Sequence, residues 1–92
     1  MTQIIRQRKQ QQVAHAMDVA QSSIRKYRLI EDRITAIDQV LSTDLSGIDY
    51  TFEEHWNMGR VGTVRERKDG RTLIQIGYCS GRYKKALCLV IY

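Results

Sequence analysis

Residues 23–41 read SIRKYRLIEDRITAIDQVL. Tyr27, Ile30, Ile34, Ile37 and Leu41 recur at intervals of three and four, so they share one face of a helix, and Ile24 extends the stripe upstream. Arg28, Asp32, Arg33 and Asp38 fall off it, with Arg28 and Asp32 spaced as a helical ion pair. A stripe this regular needs an apolar surface to cover. The second half of the chain supplies one, as a set of alternating strands.

Composition changes near residue 47. Residues 1–46 contain no glycine, all six glycines follow, and there is no proline. The first half therefore favours helix, and the glycines of the second half punctuate strands. A first helix is expected from Thr2, its N-cap, to about Ala20. Ile4, Ile5, Val13, Ala16, Met17 and Ala20 give it a thin apolar face, and Arg6 to Gln12 is polar all round. Packing alone holds such a helix weakly, so it is expected to be partly exposed. Ser22 or Ser23 then caps the second helix.

After a loop over residues 42–47, Ile48 to Trp56 alternates. Ile48, Tyr50, Phe52 and Trp56 face one way, towards a core, and Asp49, Thr51, Glu53 and His55 face the other. Val61 to Lys68, Arg71 to Cys79 and Tyr83 to Tyr92 read as three further strands. Asp69-Gly70 predicts a two-residue type I′ hairpin turn. Ile74, Ile76 and Tyr78 share a face. Ala86 to Tyr92 is almost wholly apolar, which implies cover on both faces or a central place in the sheet. The expected fold is α+β: two N-terminal helices followed by a four-stranded antiparallel β-meander, with helix two packed on the sheet. Residues 1–92 make one domain, with 1–46 as its helical half and 47–92 as its sheet half.

Catalytic and metal chemistry find no foothold in the pattern. His15 and His55 are isolated, whereas metal ligands cluster. Cys79 and Cys88 lie nine apart across a turn and read as small packed strand residues. Glu53 and Glu54 are adjacent in a strand and face opposite ways. The serines sit at helix and turn boundaries, where capping explains them. Gly59 to Gly62, GRVG, lacks the spacing of a phosphate loop. No enzyme activity, cofactor, metal or small-molecule substrate is expected. No apolar run reaches 18 residues and Arg6 to Gln12 breaks any secretory core, so neither a membrane span nor a secretory signal is expected.

The formal charge is +5, from 15 Lys+Arg against 10 Asp+Glu. Arg60, Arg65, Arg67, Lys68, Arg71, Arg82, Lys84 and Lys85 are opposed between residues 60 and 85 only by Glu66 and Asp69. Arg65 and Arg67 share a strand face, Lys68 and Arg71 flank a turn, and Arg82, Lys84 and Lys85 sit at the next turn, at the opposite end of the sheet and near Arg60. Such groups contact phosphates without reading bases. The same residues also suit a solvated face that guards a sheet edge. Arg6, Arg8 and Lys9 form a second basic group on the first helix, suited either to tracking a nucleic-acid backbone or to a soluble N-terminus.

The opening MTQIIRQRKQQQVAHAM, the helix SSIRKYRLIEDRITAID and the ending GRYKKALCLVIY, on a domain of this length, resemble the small phage-encoded anti-CRISPR proteins that inhibit the type I-F surveillance complex. Many members imitate DNA with acidic surfaces, and this chain departs from them in being basic. The resemblance implies a non-enzymatic inhibitor in the host cytoplasm. It would dock on the Cas backbone proteins and crRNA of the complex and block target-DNA hybridisation, with the basic residues above facing RNA and Asp49, Glu53 and Glu54 facing protein. Two other classes fit a small basic domain: a DNA-binding regulator, and a phage accessory or structural protein. Against the regulator, no third helix follows and the second helix is too apolar on its stripe to be free for a groove.

Overall fold

The computed structural model describes residues 2–44, 47–79 and 82–92, with backbone alone for residues 2–9 and 44. Helix α1 spans Thr2–Lys26 and α2 spans Ile30–Asp44. The chain does not break at Ser22 and Ser23. With no glycine or proline to stop it, α1 continues through both serines for another turn, and Tyr27 N donates to Ser23 O at 2.9 Å. The bend falls at Tyr27–Leu29 instead. Glu31 and Asp32 occupy the first turn of α2, where the helix dipole favours negative charge. Ile37 and Leu41 of the stripe are fully buried, while Ile30 and Ile34 are half-buried. Ile24 belongs to the last turn of α1 and Tyr27 to the bend. The second half of α1 is also core rather than loosely held surface. Ala16 and Ala20 are completely buried, with Val13, Met17 and Val19 packed around them.

The sheet contains β1 (Tyr50–Trp56), β2 (Val64–Glu66), β3 (Thr72–Tyr78) and β4 (Lys85–Ile91), every neighbouring pair antiparallel, in the order β1-β4-β3-β2. The meander holds for β2, β3 and β4 only. β1 lies beside β4 rather than β2, which makes a Greek-key arrangement. The cause lies in β4. A simple meander would leave this most apolar strand at an edge, whereas β1 on its free side makes it central and covers both its ladders. The connection 57–63 must then cross from one edge of the sheet to the other. Three strand spacings are about 14 Å, within the reach of seven extended residues at up to about 23 Å. Gly59 and Gly62 take φ of 137° and 99° in this crossing. Gln21 Nε2 from α1 donates to Gly62 O at 2.9 Å and fixes its far end.

β2 is shorter than the expected Val61–Lys68, because Gly62 and Thr63 meet Gln75 outside the regular ladder. The β2–β3 hairpin turns through Lys68–Gly70, closed by Gly70 N to Arg67 O at 3.1 Å and Arg67 N to Arg71 O at 2.8 Å. A type I′ turn needs positive φ at two successive residues. Only Gly70, at 89°, has it here, so the turn is a three-residue loop with glycine in the left-handed position.

Two apolar layers result. On the helix side Ala16, Ala20, Ile37, Leu41, Ile74, Ile76, Leu89 and Ile91 form the main core, with Tyr50 and Phe52 packed at its margin. Tyr50 Oη also donates to Asp38 Oδ1 on α2, and that bond raises the phenol pKa. On the other side Leu73, Cys88 and Val90 are buried under Met58 and Tyr92. Between Gln75 and Gly77 the β3–β4 register slips by one residue, and Ile76 bulges. Ile76 is buried among the helices, and Gly77 lies directly beneath Ile30. A Cβ at Gly77 would collide with Ile30 Cδ1 and Cγ1. Gly77→Ala should therefore cost about 1–3 kcal/mol by overpacking. In an Ile30→Ala background the same change should be close to neutral, because the colliding atoms are gone. Denaturant unfolding of the four proteins in this cycle checks the contact, and equal costs in both backgrounds would contradict it.

Candidate nucleic-acid interface

Strand alternation places Thr51, Glu53 and His55 of β1 on the sheet face away from the helices, together with Ala86, Cys88 and Val90 of β4. Leu73 and Gln75 of β3 share that face, and Arg65 is the register partner of Leu73. No helix covers it. Its upper part is overlaid by the 57–63 connection, which the buried Gln75 side chain holds down. Gln75 Oε1 accepts from Met58 N at 3.0 Å, and its Nε2 donates to Asn57 Oδ1 at 3.0 Å and Gly59 O at 3.1 Å. The remainder is flanked by arginines. Arg65, Arg67, Leu73, His55, Trp56 and Met58 line a cleft of about 260 Å³. Arg71 lies over the Tyr92 ring, 4.5 Å from its centroid.

From Arg71 a polar chain crosses the face. Tyr92 Oη donates to Glu53 Oε2 at 2.7 Å, and Thr51 Oγ1 donates to the same oxygen. These two hydroxyls hold the Glu53 carboxyl below the ordinary carboxylate range, with smaller help from His55 and Arg71. His55 Nε2 stands 3.7 Å from Glu53 Oε1 and, among the described residues, has no hydrogen-bond partner. At the hairpin Asp69 Oδ2 lies 3.6 Å from both Arg67 and Arg71. Arg65 and Lys68 are exposed and have no ion pair among the described residues.

The predicted basic residues thus fall into two groups at opposite ends of the sheet. Arg65, Arg67, Lys68 and Arg71 gather at the β2–β3 hairpin. Arg82, Lys84 and Lys85 lie at the β3–β4 end, roughly 20 Å away along the strands. Arg60 belongs with the second group, since Gly59 O beside it accepts the Tyr78 hydroxyl at 3.1 Å. Arg6, Arg8 and Lys9 lie on α1, but their side chains fall outside the described residues. Asp49, Glu53 and Glu54 do not form one acidic patch, because alternation turns Glu53 and Glu54 to opposite faces.

Trp56 is not a core residue. It is 69% exposed, at the last position of β1, with Lys85 Nζ 4.1 Å from its ring centroid. β-strand alternation assigns a side chain to a face and does not encode whether a second layer covers it. Tyr92 reaches the basic hairpin through the β3–β4 ladder and Glu53 through the β1–β4 pairing, and only the second of these lies outside a hairpin reading of the sequence. Cys79 is exposed and Cys88 buried, and both are free thiols. Cys88 lies opposite Glu53 and Gln75, Cys79 N pairs with Lys85 O, and burial pushes the Cys88 thiol up to about 11, away from the reactive thiolate. Among the described residues no group of three or more His, Cys, Asp or Glu could hold a metal, and no helix is long and apolar enough to cross a membrane.

No family model, curated protein or solved structure matches the chain.

The Glu53 bonds give a pH dependence with a defined sign. A carboxyl whose folded pKa lies below its ordinary 4.5 stabilises the fold above that value, and the contribution is lost as pH falls through the folded pKa. Glu53→Gln should be less stable than the parent at neutral pH, and the gap should close in acid. Unfolding midpoints across a pH series check this, and a gap that persists in acid would contradict it.

Proposed function

We propose that this chain is a non-catalytic inhibitor that acts in the host cytoplasm on the type I-F crRNA-guided surveillance complex. In this reading it contacts Cas protein and guide RNA and blocks target-DNA hybridisation. The observation that supports RNA contact is the arginine group of the β2–β3 hairpin. Arg65, Arg67 and Arg71 flank a sheet face that no helix covers, and Lys68 extends from the tip. A flat, basic face of this kind suits a phosphate track rather than a small molecule. The resemblance over the full chain supplies the identity of the complex. A domain wedged against a guide RNA would hinder the heteroduplex either where it starts or as it extends.

Within the hairpin group the residues differ in what they hold. Arg71 packs on Tyr92 and pairs with Asp69, so reversing it would disturb the fold as well as the charge. Arg65→Glu with Lys68→Glu changes two exposed side chains, each expected to alter stability by less than about 0.5 kcal/mol. This double variant should keep the parent's unfolding midpoint. Its affinity for the surveillance complex should fall at least about tenfold, and the salt dependence of binding should flatten by roughly 0.7 in slope per lost phosphate contact. Competition against target DNA at two salt concentrations reads both effects. A folded double variant that inhibits at parent affinity would remove the hairpin from the interface.

A further inference from the structure

We propose that the β3–β4 end of the sheet stacks on unpaired bases, so that the polyanion this chain takes is a single-stranded nucleic acid with its bases open. The inference rests on the reading of the chain as a polyanion binder and narrows the ligand. It comes from a different part of the molecule. Trp56 is 69% and Tyr83 is 58% exposed, at the same end of the sheet. Their strands are joined there by Asn57 N to Lys84 O at 3.0 Å and by Asn57 Nδ2 to Tyr83 O at 2.8 Å.

Three observations favour bases over other ligands. The first is charge. Residues 56–60 and 78–85 contain Arg60, Arg82, Lys84 and Lys85 and no acidic residue, so cations outnumber acids around the rings, with Glu54 the acidic neighbour, beside Cys79. Rings interleaved with cations are how proteins hold single strands without reading sequence, since every base has a π-face and every nucleotide a phosphate. The second is the backbone at Tyr83. Its φ is 55°, and it is the only non-glycine residue among those described with positive φ. A bulky side chain is disfavoured there. Asn57 grips its carbonyl, and its ring lies 4.7 Å from that of Tyr78, tilted by 60°. Strain held in place by its surroundings is found at functional positions, and here it presents a ring to solvent. The third is Trp56. Lys85 sits over the ring, yet most of the residue's surface remains open. Trp56 lies beside Lys85 and also borders the cleft of His55 and Met58, while Tyr83 meets Tyr78. A strand passing this end would therefore place bases against either ring. Duplex bases are already stacked and cannot do so.

Trp56 is the chain's one tryptophan, so its fluorescence reports on this end of the sheet directly. A short single-stranded oligouridine should quench it saturably, and an RNA duplex of equal length should do so far more weakly. Tyr83→Phe should bind as the parent does. Tyr83→Gly removes the ring and relieves the positive φ, so it should be at least as stable as the parent while losing about tenfold or more in affinity. Equal binding of duplex and single strand, or unchanged affinity in Tyr83→Gly, would overturn base stacking and leave a phosphate-only polyanion binder. No binding to either RNA, with the parent still co-purifying with the surveillance complex, would also overturn it and assign the exposed rings to a protein contact. Neither RNA binding nor co-purification would overturn this inference and the proposed function together.

Discussion

The helix layer is seated on the sheet at one irregularity, the bulge at Ile76. An extra residue in β3 leaves the Ile76 carbonyl without its regular ladder partner, and Arg33 Nη1 donates to it at 2.8 Å. The same guanidinium donates through Nε to Tyr27 O at 2.8 Å, at the end of α1. One half-buried arginine thus satisfies a bulge carbonyl and a helix-end carbonyl that would otherwise be left wanting. Hydrogen bonds from a charged donor contribute about 1.5–3 kcal/mol each. Ile30 descends onto Gly77 one residue further on. The bend between the helices, the approach of α2 and the local twist of β3 are therefore a single coupled geometry.

That seating decides what the other side of the sheet can be. Both helices bury their apolar faces on one side, and none remains for the other. The second layer must be closed by what the strands and one connection supply: Met58 from the crossing segment and Tyr92 just after β4, with Arg71 over the Tyr92 ring. Arginine stems cover apolar surface while keeping their charge in water. The basic face is thus partly a consequence of a thin domain that lacks a third layer. The Arg71 side chain lies over the Tyr92 ring while it also pairs with Asp69 at the surface.

Much of the fold was legible in the sequence, in graded fashion. The stripe Tyr27, Ile30, Ile34, Ile37, Leu41 located α2, which begins at Ile30, and the period-two alternation of Ile48 to Trp56 located β1, which begins at Tyr50. The helix bend was not legible, because Tyr27–Leu29 contains no glycine or proline; the arginine bond and the Ile30 contact set it from outside. The sheet order was within reach. Apolar residues on both faces of β4 suited a central place as well as cover on both faces, and a meander gives it one neighbour only. Gly77 inside a strand was a sign of a bulge or a close approach, and here it is both. At the site, the shared face of Arg65 and Arg67 follows from alternation alone. The Arg71–Tyr92–Glu53 chain does not, since its last link joins β4 to β1, whose adjacency comes from the long crossing.

The pairings at the hairpin bear on how it would meet a polyanion. Asp69 lies 3.6 Å from Arg67 and Arg71, and all three side chains are roughly 40% exposed. Ion pairs this open contribute at most about 1 kcal/mol, so a phosphate can displace the carboxylate at little cost to the fold. Arg71 is held differently, with its guanidinium over the Tyr92 ring and that ring anchored through its hydroxyl to Glu53. Anchoring limits the side-chain entropy lost on binding, which for a free arginine is among the larger costs of forming a contact. Exposed Lys68 and Arg65 lack such support. They would contribute mainly to attraction at a distance and to salt dependence, whereas Arg71 would fix the register of the bound backbone.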